Sequence, residues 1–189
     1  MVVCCCVALA SLGVAGCDFY GAVGQDGMGC EPKSPIAADN AAHSIYRDNL
    51  VAETASATTW ARDRVNETDV AASYVSAISA ETDVQDLDNT YTSYCGYTWA
   101  SPGTSGVAGL TTCASLNSAD ECEQHELRVS QFVVQTVSTA FARSLLTHEM
   151  GHTLGLGHQG GDDDVMSGAG MNGVTAFNSH EKDLLNDHY

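Results

Sequence analysis

An α+β fold is predicted by the order of three kinds of segment along the 189 residues. A stretch of helical apolar spacing comes first, a block of short β-like runs follows, and two further helix patterns close the chain. The length suits one domain with an ordinary core, and no repeat or long linker divides it. Residues 44–64 place Ile45, Leu50, Val51, Ala55 and Trp60 near helical spacing, so a first helix is expected there with Trp60 in the core. Residues 69–76, 89–100, 106–115 and 126–134 are bounded by Asn, Asp, Gly, Ser or Pro and read as strands. A helix beginning near Ser138 should bury Phe141, Leu145 and Leu146 against that sheet. A last helix follows Phe177, with Ser179 as its cap and Glu181 at its positive end.

The chemistry is concentrated in residues 145–166, LLTHEMGHTLGLGHQGGDDDVM. An α-helix turns about 100° per residue, so His148 and His152 share one face, a turn apart, and can reach a single ion. A third ligand on the same helix would be carried away from that ion. The chain must therefore stop and turn back, and Gly155 suits the positive φ of such a stop. His158 then completes the set. Three neutral imidazoles leave the fourth tetrahedral position for water, which is the pattern of a catalytic Zn2+ site and not of a closed structural one. Glu149 points about 100° away from His148 around the helix, where it can serve the water as general base.

HEMGHTLGLGH resembles the extended zinc signature of the metzincin clan of metalloendopeptidases at every specified position, and Met166, eight residues after His158, matches the methionine of the Met-turn in matrixin-like members. The resemblance is strong over residues 145–189. It implies a mixed twisted sheet with an active-site helix and a C-terminal helix, a cleft between a larger upper and a smaller lower part, and hydrolysis of protein or peptide substrates. Gln159 departs from the residues usual after the third histidine, and no tyrosine stands two residues beyond Met166, so three protein ligands are expected. The resemblance also implies that substrate lies extended along an edge strand, for which the candidate is Gly109, Leu110 and Thr111 within residues 106–113. The small residues there leave room for a second backbone, although an interior strand is the alternative. A rival function is a catalytically weak zinc-binding adhesion or interaction module of the cell envelope, against which the retained Glu149 and the open fourth position argue.

Charge and cysteines bound the setting. With 24 acidic against 7 basic residues and a net charge of −17, nucleic acid is excluded as a partner and a well-solvated acidic surface is expected, with the chain a monomer. Residues 1–16 are apolar and too short to span a bilayer, and read as an export signal lacking the usual basic start. Residues 14–17, VAGC, resemble a bacterial lipobox that would lipidate Cys17, so the chain is expected to be secreted or a cell-envelope lipoprotein, touching membrane only through that anchor. Residues 17–40 read as a flexible lead-in and residues 41–189 as the catalytic domain. Cys113 with Cys122 is the first disulfide expected and Cys30 with Cys95 the second, among three pairings that four cysteines allow. Asp162, Asp163 and Asp164 could offer oxygens to Ca2+, but three adjacent acids lack the spacing of a calcium loop and a solvated turn is the simpler reading. His125 reads as strand surface, and His43, His180 and His188 as isolated.

Overall fold

The computed structural model describes residues 36–161, 163–167 and 173–189. The expected leader, the Cys17 anchor, Cys30 and Asp162 lie outside the described residues. Strand β1 (Ser44–Asp48) leads into helix α1 (Ala52–Val65) and returns to β2 (Ser73–Val75), and β3 (Val84–Asn89) follows. A two-residue hairpin, β4 (Ser93–Tyr94) and β5 (Tyr97–Thr98), precedes β6 (Gly109–Leu116) and β7 (Cys122–Ser130). Helices α2 (Gln131–Thr136), α3 (Thr139–Thr153) and α4 (Ser179–His188) complete the chain.

The five-stranded sheet has the order β2-β1-β3-β7-β6, parallel except for the antiparallel β6–β7 pair. Ile45, Val84, Leu127 and Val129 from its strands share one core with Ala57 and Ala61 of α1 and Leu145, Leu146 and Met150 of α3. Helix α3 starts beside Ser138, as expected, and the Ser138 hydroxyl caps it by accepting the Phe141 N–H. Phe141 itself is only partly buried, while Leu145 and Leu146 are fully so. The Cys113–Cys122 disulfide joins β6 to β7. Cys95 is also disulfide-bonded. Among the described residues no helix is long and apolar enough to cross a membrane.

Several expectations are corrected. The first helix starts at Ala52, and residues 44–48 are instead a strand: Ile45 is wholly buried between two parallel neighbours, and Asn49 with φ +52° breaks the chain before α1. Central β3 replaces the long strand read at 89–100, which is reduced to the small hairpin. Its sequence VQDLDN hides a buried face, because Asp86 is covered and accepts the Thr58 hydroxyl of α1. Residues 131–134, read as strand, begin α2, whose cap is Ser130. Asn178, not Ser179, caps α4, in a capping box with Glu181.

Candidate active site

Helix α3 ends as the site requires. The N–H of Leu156 bonds the carbonyl of Gly151 at 3.0 Å and that of Gly155 the carbonyl of His152 at 3.1 Å, with Gly155 at φ +84°. This pair of bonds is a left-handed helix stop that side chains with a Cβ resist. It turns the chain so that His158 comes back beneath His148 and His152, and the three rings form a near-regular triangle with centroids 4.6, 5.2 and 5.0 Å apart. One ring nitrogen from each lies within 4.8 Å of the others.

The tautomers of two rings are dictated by the backbone. His148 Nδ1 faces the carbonyl of Val165 at 2.8 Å and His152 Nδ1 that of Leu156 at 2.7 Å. A carbonyl can only accept, so each Nδ1 carries the proton and each Nε2 presents a lone pair. Burial pushes the His148 pKa down to about 3, holds that of His152 well below the ordinary value and lowers that of His158, so the rings are neutral at pH 7. The two Nε2 atoms lie 3.1 Å apart with no proton to share, an arrangement that repels unless a cation reconciles it. Three neutral imidazoles, two of them with backbone-fixed tautomers, are the donor set of zinc, and the residues present fit that ion.

The turn at 164–167 supports the triangle from below. Its Val165 carbonyl takes the His148 bond, the Met166 carbonyl accepts the Gln159 N–H at 2.8 Å, and the Met166 N–H is bound by Glu181 Oε1 at 2.9 Å. Met166 is fully buried, and its sulfur occupies the space that a Cβ on Gly151 would need. Glu181 also accepts the Asn178 N–H at 2.8 Å, so one buried carboxylate fastens the turn to α4, and burial raises its pKa. Asp164 is part of this scaffold: its carboxylate accepts the Gly161 N–H at 2.7 Å and the Asn178 side-chain amide. Asp163 is exposed.

Glu149 is completely buried beside His148. Its Oε2 is 2.9 Å from the Thr111 hydroxyl, which also lies 3.0 Å from the Glu149 carbonyl, while Oε1 has no hydrogen-bond partner among the described residues. Burial raises the pKa of this carboxyl to about 8, and the Thr111 hydrogen bond opposes the shift.

Strand β6 has β7 on one side and, among the described residues, no strand on the other. Ser130 N–H donates to the Ala108 carbonyl at 2.8 Å. In an antiparallel ladder the facing alternates, so Leu110 also turns its backbone to β7, and Gly109 and Thr111 turn theirs to the open edge. One position earlier on that edge, Val107 is already paired with residues 98–100.

Among solved structures the chain is similar to archaemetzincin (amzA) from Methanopyrus kandleri, with a TM-score of 0.52 and 18% identity over 79% of this chain and 96% of that one. Two structures of myroilysin are similar at TM-scores of 0.52, one at 10% identity covering 82% of this chain and 86% of its own, the other at 11% covering 82% and 95%. The fold is metzincin-like. No sequence-family model matches the chain, and no curated protein does. At these identities the likeness is one of fold, and the site rests on its own geometry.

Within this metzincin-like fold the structure brings His148, His152, His158, Glu149, Gly155 and Met166 together, with Gly109 and Thr111 of β6 against Glu149. Leu110 faces away, packed with Trp99 and Val107. His125 is a correction: it is buried in β7, its Nε2 3.0 Å from the Ile36 carbonyl, because the chain at 36–38 covers that end of the strand. His43 is likewise buried, with Nε2 2.9 Å from the Thr153 hydroxyl at the end of the ligand helix. Trp60 is only half-buried and donates to the Thr175 carbonyl at 2.6 Å. Sequence reasoning missed Thr111 as a neighbour of Glu149, Gly151 as the seat of Met166, and Glu181 as the anchor of the turn. Only Gly151 had a local signal, a glycine between the two helix histidines.

Proposed function

We propose that the chain is a zinc endopeptidase that cleaves extended peptide segments of extracellular proteins. The observation that carries this reading is the convergence of three neutral imidazoles beside a buried carboxyl group, next to a strand whose backbone, among the described residues, is open on one side. His148, His152 and His158 would hold the ion, which when bound acts as a Lewis acid toward a peptide carbonyl and acidifies a neighbouring water. Glu149, whose burial-raised pKa falls when a dication is held beside it, takes the water proton on its unpartnered Oε1 and passes it to the leaving amine. Burial of the carboxylate excludes bulk solvent from that transfer. Substrate pairs with the open-edge groups of Gly109 and Thr111, which gives affinity without demanding a side chain. The apolar leader and the VAGC segment support an exported or lipid-anchored protein of bacterial type.

The test is a peptide-library digest read by mass spectrometry, with and without a zinc chelator, on the parent and Glu149→Gln. Internal cleavage that the chelator abolishes is expected. Glu149→Gln should keep its zinc and lose about 10²–10⁴-fold in kcat. A zinc-loaded parent that cleaves nothing would return the chain to the binding-module reading. Retention of activity within about tenfold in the variant would remove Glu149 from its role. N-methylation of substrate amides, one at a time, should raise KM at the positions that pair with β6.

A further inference from the structure

Glu149 is gripped from one side by β6. Strand side chains alternate between faces, so Gly109 and Thr111, two apart, look toward α3 together while Leu110 looks away. Thr111 places its hydroxyl 2.9 Å from Oε2. Gly109 lies against the other end of the same carboxylate: a Cβ there would stand 2.5 Å from Oε1 and 2.8 Å from Cδ. One oxygen is therefore tethered, and the other is free of partners and confined by a bare Cα.

We infer that Thr111 is a positioning residue for proton transfer, and that Gly109 is its steric complement, the two together holding the Glu149 carboxylate in one orientation with Oε1 left for the reacting water. The inference rests on the peptidase reading. A glutamate side chain has three rotatable bonds and, in an apolar surrounding, would otherwise sample several rotamers. The tether removes that freedom on the oxygen that does not react. It comes from the same strand residues whose backbone faces the open edge, so a substrate strand laid on β6 and the carboxylate that serves it are registered by two residues. Misplacement by about 1 Å of a group that must meet a reacting atom costs on the order of a hundredfold in rate.

The experiment compares the full zinc-loaded chain with Thr111→Val, Thr111→Ser and Gly109→Ala, using a quenched-fluorescence peptide cleaved by the parent. Metal content and thermal midpoint are measured on every sample. Thr111→Val keeps the shape and removes the hydroxyl. Its kcat should fall about tenfold to a hundredfold with KM within about threefold, zinc content equal to the parent's and little change in thermal midpoint. Thr111→Ser restores the hydroxyl and should recover most of kcat. Gly109→Ala pushes the carboxylate away from the strand at its other oxygen and should lower kcat comparably, again with zinc retained. The inference is overturned if zinc-loaded Thr111→Val, or Gly109→Ala should Thr111→Val not fold, turns over within about twofold of the parent. It is also overturned if Thr111→Ser is as slow as Thr111→Val, or if the loss appears in KM and zinc content instead of kcat. A parent that binds zinc and cleaves no peptide counts against the peptidase reading itself, a result distinct from any of these.

Discussion

The sheet half of the molecule and the segment after Gly155 bury similar side chains but hold their backbones differently. In the sheet, β3 lies between β1 and β7, and Ile45, Val84, Leu127 and Val129 are entirely buried on one continuous core. After Gly155, the ladder contact among the described residues is the single Gln159–Ser167 bridge. There the backbone is fastened by carboxylates and rings: Glu181 to Met166, Asp164 to Gly161, His148 to Val165. Ladders survive the loss of one side chain, whereas each of these fasteners is a single group. The upper half is therefore a scaffold whose ladders need no ion, whereas the lower half hangs on a few polar contacts and, on the peptidase reading, on a bound ion.

That contrast can be broken in order of expected effect. Leu127→Ala, in the centre of the sheet, should cost about 2–5 kcal/mol, lowering the thermal midpoint of the whole chain in one transition. Chelation should remove about 3 kcal/mol if free zinc stood at some hundredfold its Kd. Hydrogen exchange should report the chelation loss at residues 156–167 and leave β3 and β7 protected; equal deprotection of those strands would erase the distinction between the halves.

A third prediction concerns Asp86, a fully buried acid of the central strand. Burial raises the pKa of Asp86 from its ordinary 3.8 to about 7, with the Thr58 hydroxyl opposing the shift. Between those values the folded chain holds a proton that the unfolded chain has lost. Stability from this group is thus complete below pH 3.8, declines as pH rises to about 7 and then levels. Asp86→Asn cannot ionise, so its unfolding free energy should equal the parent's near pH 4 and exceed it by up to about 4 kcal/mol at pH 8. A constant offset across that range would show that Asp86 does not titrate in it. The smallest effect is expected from Tyr189→Phe, whose lost hydroxyl lies 3.3 Å from the carbonyls of both Ala38 and Leu154. About 0.5–1 kcal/mol should disappear in urea melts.

What the sequence discloses follows the same division between local and long-range causes. The histidines, Glu149 and the Gly155 stop are legible because a helix period and a positive φ are properties of a few neighbouring residues. The start of α3 near Ser138 is local in the same way. Central β3 is not legible, since VQDLDN carries acids or amides at four of its six positions and its buried face exists only because α1 brings Thr58 over Asp86. Residues 44–48 were drawn into a helical pattern by Leu50 and Val51, which belong to the turn and the start of α1, and residues 131–134 into a strand by their β-branched pair. The burial of His125 and His43 depends on segments 89 and 110 positions away, respectively, which no window of the sequence contains.

The Cys113–Cys122 bridge acquires a meaning from where it sits. It ties β6 to β7 at the irregular step in their pairing, immediately past Thr112. Sliding β6 by one residue would present Leu110 to α3 and turn the backbone of Gly109 and Thr111 inward to β7. The bond thus works as a mechanical index, fixing the phase of the strand so that one face keeps meeting Glu149 while the edge stays available to a second chain.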